Sequence, residues 1–279
     1  MMDNATNNQL GRLDRRLQTI YNDAHRLSLA RERVTIARLA AEREDEELSY
    51  AERRNIQRAA NNIADEIASG GNRAAQAIAG AALGVYISSY LFALNDVREQ
   101  IPQGIRFTQY TEHQLRVILA DEAKSPFTQV AYNRLGADPI AAKKKILPRL
   151  RIGLADSVMR GASIQQISRM IRNVINISYR QAVKIARTEM NRVANQGRLL
   201  GFEQAKSDHN IDMQKMWLSA FDERTRDAHL AANGQVVDLD KPFNVGGEKL
   251  MFPGDPNGSA ENVINCRCSV VSILRGFSF

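Results

Sequence analysis

Apolar positions recur at helical spacing through the first part of the chain. Leu13, Leu17, Ile20 and Tyr21 share one face, and Leu27, Val34, Ile36 and Leu39 follow it more loosely. No proline or glycine occurs between Arg12 and Ser69, so the pattern predicts a long helical arm or hairpin over 8–69, broken by Gly70-Gly71. Its polar side mixes the acidic block Glu42 to Glu47, which includes Arg43, with Arg53, Arg54 and Arg58, as a solvated or coiled-coil face does. Ala74 to Leu94 then runs for 21 positions without a charge, the length of a bilayer span. Its Ala, Gly and Ser content argues for something else. Ala77, Gly80, Ala81, Gly84 and Ser88 would let another helix approach closely, which favours a buried helix at a protein interface over a membrane span.

Between 101 and 160, Pro102, Pro126, Pro139 and Pro148 cut the pattern into short helices. Helical spacing returns over 162–206, with Ser163 as N-cap and Ile164, Ile167 and Ile171 on one side. One helix is expected to end near Ile177–Ser178, where a second begins, carrying Tyr179, Ala182, Ile185, Ala186, Met190 and Ala194. From Trp217 onward, short β-like runs (KMWLSA, QVVDL, KLMFPG, CSVVSIL) alternate with turn pairs such as Asn233-Gly234, Gly246-Gly247 and Asn257-Gly258. The expected fold class is α+β: a long helical N-terminal part, then a small C-terminal module of helices packed on a short antiparallel sheet. The expected division is a mainly α-helical interaction region over 1–160 and the α+β module over 161–279.

Charge adds a partner class. The net charge is +7, and residues 101–200 alone hold 17 Lys and Arg against 6 Asp and Glu. Lys143, Lys144, Lys145, Arg149 and Arg151 form the densest basic cluster and are the candidate nucleic-acid contacts. With no aromatic neighbours for stacking, they suit phosphates rather than bases; a solvated helix face or an acidic protein partner explains them equally. The opening MMDNATNNQL lacks a basic region followed by an apolar run, so no secretory signal is expected. Two cysteines cannot build a disulfide framework, which points to assembly in a reducing cytosol. Neither a P-loop nor a G-x-G-x-x-G occurs, and GDPNGSAEN lacks the spacing of a calcium loop.

The chemistry-bearing residues gather in the second half. ARTE holds Arg187 and Glu189, with Asn191 and Asn195 four apart further on. Trp217 is followed by Asp222, Arg224, Thr225, Arg226 and His229, where Asp222, Thr225 and His229 would share one face of a helix. A Pro253-Gly254-Asp255-Pro256 turn precedes Asn265-Cys266-Arg267-Cys268. On a strand, Cys266 and Cys268 point the same way, and a disulfide between them would be strained. Three readings compete. The leading one is a structural polar cluster of Arg187, Glu189, Asp222, Arg224, Arg226, His229, Asn265 and Arg267 that pins helices to sheet, with the thiols packed inside. The second is a zinc site with His229, Cys266, Cys268 and Asp222 as ligands. The third is a Cys–His nucleophile oriented by Asp222, for which no oxyanion donor is visible. No catalytic residue and no cofactor are assigned, zinc being the alternative.

The ordered set, ARTE, W-x4-D-x-RTR-x2-H, the Pro-Gly-Asp-Pro turn and NCRC, resembles the phage Mu protein F-like, or head morphogenesis, family over about 160–273. The resemblance implies a minor head protein of a tailed bacteriophage or prophage, inside the virion head. It implies binding to the portal protein in several copies, with the major capsid or scaffold protein nearby and packaged DNA as a further partner, acting in genome packaging or delivery. It implies no enzymatic activity. The alternatives are a metal- or thiol-dependent hydrolase and an ejected, membrane-active virion protein using Ala74 to Leu94.

Overall fold

The computed structural model describes residues 4–39, 47–101, 105–122 and 139–275. In chain order these form α1 (Asn4–Leu39), α2 (Tyr50–Gln100), α3 (Glu112–Glu122), α4 (Pro139–Met159), α5 (Ile164–His209), β1 (Met213–Leu218), α6 (Asp227–Ala231), β2 (Val236–Asp238), β3 (Phe243–Val245), β4 (Glu248–Leu250), α7 (Ala260–Val263) and β5 (Ser269–Leu274). The α+β class is as expected. The helix boundaries are not. The acidic block over 42–46 lies outside the described residues, as do Pro102 and Pro126.

Where a helical arm or hairpin was expected over 8–69, there are two helices, α1 and the first part of α2. A capping box starts α2: Ser49 N–H donates to Glu52 Oε2 at 2.7 Å, and Glu52 N–H donates back to Ser49 Oγ at 3.2 Å. Gly70-Gly71 does not end α2, which continues to Gln100. A Cβ on Gly70 would stand 3.4 Å from Ala24 Cβ of α1, an ordinary contact. Nor does α5 break near Ile177–Ser178; it is one helix of 46 residues. Its start is as expected: Ser163 N–H donates to Gln166 Oε1 at 2.6 Å and Gln166 N–H to Ser163 Oγ at 3.3 Å.

Packing divides the chain into two units, and the division does not fall at residue 160. One unit comprises Asp14–Ala77 and Val130–Val183; the other comprises Met1–Leu13, Ile78–Gln129 and Lys184–Phe279. The boundaries therefore lie inside α1, α2 and α5. The first unit is helical. Its core includes Leu17, Tyr21, Ala24, Ile63, Ile67, Leu150, Leu154 and Ile171. On α1 the buried stripe runs through Ala24, Ser28, Glu32 and Ile36, whereas Leu27 and Val34 are exposed. Buried Glu32 is satisfied by Asn62 Nδ2 at 2.7 Å. Tyr179 packs edge-on against Tyr21 and donates its hydroxyl to Asp14 Oδ1 at 3.0 Å.

The second unit holds the sheet. β1 is central between β2 and β5, both antiparallel to it, and Trp217 faces Val270 in the β1–β5 register. β3 and β4 form a separate hairpin. Its Gly246-Gly247 turn has positive φ at both positions (58° and 86°), as a two-residue hairpin turn of matching twist requires. α2 and α5 come together here, but the small residues that permit it are on α5. A Cβ on Gly197 would lie 2.5 Å from the Tyr86 carbonyl oxygen, and one on Gly201 2.6 Å from Ala93 Cβ. The small-residue row on α2 is used less: Gly80 faces open space and Gly84 meets Gln9. By length and composition α2 could cross a membrane, yet half of its apolar window is buried within the protein.

Candidate functional site

The site is built where α5 meets β5 and the loops before it. Thr188 Oγ1 donates to Lys184 O at 2.9 Å and accepts the Asn265 N–H at 3.0 Å. Asn265 takes the left-handed conformation (φ 56°), which asparagine tolerates, and this turns the chain between α7 and the cysteines. One turn on, Glu189 and Arg192 form an ion pair with 1% and 2% of their side chains exposed. Arg192 Nε meets Glu189 Oε2 at 3.1 Å, and its Nη1 donates to Gln196 Oε1 at 2.8 Å. Such a pair fixes geometry more than it stabilises.

A second turn along, Asn195 binds the loops to the helix. Its Nδ2 lies within 3.1 Å of three carbonyl oxygens, those of Asn191, Pro253 and Cys268, and its Oδ1 accepts Val270 N–H at 2.9 Å. The Pro-Gly-Asp-Pro turn sits directly on α5: a Cβ on Gly254 (φ 89°) would stand 3.3 Å from Arg192 Cα. Asp255 is buried and accepts the N–H groups of Met251 and Asn257 at 2.7 and 2.9 Å. Arginine partners are not needed for it.

The D-x-RTR-x2-H segment is not one helix. Asp222 heads a turn, accepting Arg224 N–H at 3.0 Å and Thr225 Oγ1 at 3.3 Å, and α6 begins only at Asp227. Asp222 and Thr225 therefore do not share a helical face with His229. The Arg267 guanidinium bonds both Asp222 oxygens in a bidentate pair at the surface, and Arg224 stands 3.7 Å away. The Arg267 hydrogen bonds hold the Asp222 carboxyl well below the usual carboxylate range. Arg226 donates to Ile264 O.

His229, Cys266 and Cys268 are all buried, and their ligand atoms lie within 4.8 Å of one another. His229 Nδ1 is 3.7 Å from Cys266 Sγ and 3.3 Å from Cys268 Sγ, and its Nε2 is 3.3 Å from Asn262 Oδ1. The ring stacks edge-on against Trp217, which also meets Phe243 edge-on. The thiols are driven apart. A hydrogen bond from the Cys266 thiol pushes Cys268 down, and that shared proton together with burial pushes Cys266 up.

Asp222 is not part of this group of three, and Arg187 is exposed, so neither joins the buried cluster. In the helical unit, Lys144, Lys145, Arg149 and Arg151 are exposed on α4, while Lys143 pairs with Asp65 at 2.7 Å. Lys145 and Arg149 line a cavity of about 360 Å³ with Tyr21, Ile67 and Ile177.

Three further residues matter that residue patterns did not single out. Arg192 could have been found from its i, i+3 spacing to Glu189. Asn262, which accepts from His229, carries no such signal. Lys215 occupies a core-facing position of β1, fully buried, and donates to Leu239 O at 2.7 Å and Met251 O at 2.9 Å. Burial lowers its pKa to about 8, against the opposing pull of Glu203.

The family described as phage Mu protein F like protein matches residues 149–271, from α4 to β5. The chain is 34% identical over 150 residues to an Enterococcus faecalis protein named NAD(+)–arginine ADP-ribosyltransferase EFV, covering half of this chain and 30% of that one. It is 31% identical over 147 residues to the minor head protein GP7 of Bacillus phage SPP1, covering half of this chain and 47% of that one. An uncharacterised Bacillus subtilis protein, YqbB, is 24% identical over 208 residues, 69% of this chain and 67% of its own. No solved structure matches. The matched stretch contains Asn195, Trp217, the Asp222–Arg267 pair and the His229–Cys266–Cys268 group, and over these residues the chain is similar to the phage Mu protein F-like family.

Proposed function

We propose that this chain is a minor head protein of a tailed bacteriophage or prophage, acting in head morphogenesis. The observation that carries the reading is the family match over 149–271, which takes in every element of the pinned module. The likeness to a phage minor head protein supports it, although the chain spans about half of that protein. The finer reading is that the protein docks on the portal inside the head, in several copies, and helps package or deliver the genome. Exposed Lys144, Lys145, Arg149 and Arg151 would then face DNA or an acidic portal surface. Coexpression with the portal and capsid proteins of the same genome tests this. A stable complex with the portal, recovered by size exclusion, is the expected result; elution of the chain alone from every mixture contradicts it.

A second reading has one observation behind it, the transferase name of the Enterococcus relative, of which the aligned stretch is 30%. Incubation with NAD and an arginine-bearing acceptor separates the two. The head-protein reading expects no nicotinamide release above the buffer rate; release proportional to protein concentration supports the transferase.

A further inference from the structure

We propose that His229, Cys266 and Cys268 are three protein ligands of a zinc ion that holds the module together. First, the nitrogen–sulfur distances are those a zinc ion needs. Zinc–nitrogen bonds of about 2.0 Å and zinc–sulfur bonds of about 2.3 Å put neighbouring ligands roughly 3.6 Å apart. The two Nδ1–Sγ distances, 3.3 and 3.7 Å, bracket that value.

Second, the histidine is set in the ligand tautomer. Asn262 Nδ2 donates to Val245 O at 3.3 Å, which turns its Oδ1 toward the ring. An amide oxygen only accepts, so His229 Nε2, 3.3 Å away, carries the proton. The Nδ1 lone pair is left facing both sulfurs, the arrangement an outer hydrogen bond imposes on a metal-bound histidine. Asn262 is itself placed by the Ser259 cap of α7, where Asn262 N–H donates to Ser259 Oγ at 3.4 Å.

Third, the charges balance. The three side chains are 1–3% exposed. Two thiolates cancel a divalent cation, so the loaded site is neutral overall and avoids the cost of a buried net charge. Sulfur and imidazole donors together select zinc over calcium or magnesium.

Fourth, the position suits a staple. His229 comes from α6, and the cysteines lead into β5, 37 and 39 residues later. The metal would close that loop in a module whose sheets are three and two strands wide. Asp222 is not the fourth ligand, because its carboxylate oxygens are held by Arg267. The proposal is independent of the head-protein reading, and either can fail alone.

The test uses the full chain, purified reduced and without chelators, with metal measured by mass spectrometry. About one zinc per chain is expected, with loss of nearly all of it in His229→Ala and in the double variant Cys266→Ser/Cys268→Ser. Asp222→Asn should keep its zinc, and Asn262→Ala should bind zinc on the order of 10–100-fold more weakly. Should the ligand variants fail to fold, cobalt titration of the metal-stripped native chain gives the answer, because thiolate coordination produces a sulfur-to-cobalt charge-transfer band. A folded native chain with far less than one zinc and no such band overturns the proposal. So does a double cysteine variant that retains full zinc.

Discussion

Asn195 Oδ1 accepts the Val270 backbone N–H at 2.9 Å, so a side chain on α5 supplies a hydrogen bond to the main chain of β5. The same amide also reaches the Cys268 and Pro253 carbonyl oxygens. Replacing Asn195 with alanine leaves buried backbone groups without partners, each costing about 1–3 kcal/mol. Asn195→Ala should lower unfolding stability by about 3 kcal/mol or more, read as a lower urea midpoint with an unchanged slope. A loss below about 0.5 kcal/mol would show that the interface does not depend on this amide.

Glycine substitutions should split by position. Alanine is the better helix former by about 1 kcal/mol, so Gly80→Ala, which meets open space, should stabilise. Gly197→Ala should do the opposite, because its Cβ would sit 2.5 Å from the Tyr86 carbonyl oxygen; a loss of about 1–3 kcal/mol is expected. Thermal melts of the two variants, shifted in opposite directions, check this.

Buried Lys215 makes stability depend on alkaline pH. Its pKa is lowered from 10.5 to about 8 in the folded protein, mainly by burial. Between those values the unfolded chain binds the proton and the folded one does not, so stability should rise with pH from about 8 to about 10.5. Lys215→Met should remove that rise. It should also destabilise the protein across the whole range, because Leu239 O and Met251 O lose their donor. Denaturant melts at several alkaline pH values measure both effects.

These three relationships differ in how far they could be read from residue order. Trp217, His229, Cys266 and Cys268 stand out because their types are scarce and their order is distinctive, and the structure brings them together. Ser163 was legible as a helix start, because an N-cap is a local device; its partner Gln166 completes the capping box. Gly70 and Gly71 read as breaks but lie within a helix. Gly201 also lies within a helix, and its reason is non-local, the approach of another helix. The pairing of Asp222 with Arg267, 45 residues apart, has no local signature. Lys215 was hidden for a related reason: alternation along β1 marks which positions face inward, but an inward lysine is understood only once Leu239 and Met251 are seen to present carbonyls to it.

DNA contact through α4 has a quantitative signature. If Lys144, Lys145, Arg149 and Arg151 each neutralise a phosphate, the logarithm of affinity for duplex DNA falls against the logarithm of salt with a slope of about −0.9 per contact. Neutralising all four residues should reduce that slope by about 3 to 4 and weaken binding most at low salt. Lys143→Gln should matter less, since Asp65 already holds that ammonium. Fluorescence anisotropy across a salt series measures these slopes, and equal slopes for native and quadruple variant would assign the basic cluster to another role.

The most direct test of the head-protein account is the composition of the head itself. Particles assembled from the genome that encodes this chain can be purified away from free protein and quantified by mass spectrometry against the portal and major capsid proteins. The account predicts that the chain is a constant component of the particle, in far fewer copies than the major capsid protein and in a fixed ratio to the portal. Its absence from purified heads, with the whole pool left in the soluble fraction, would contradict the account.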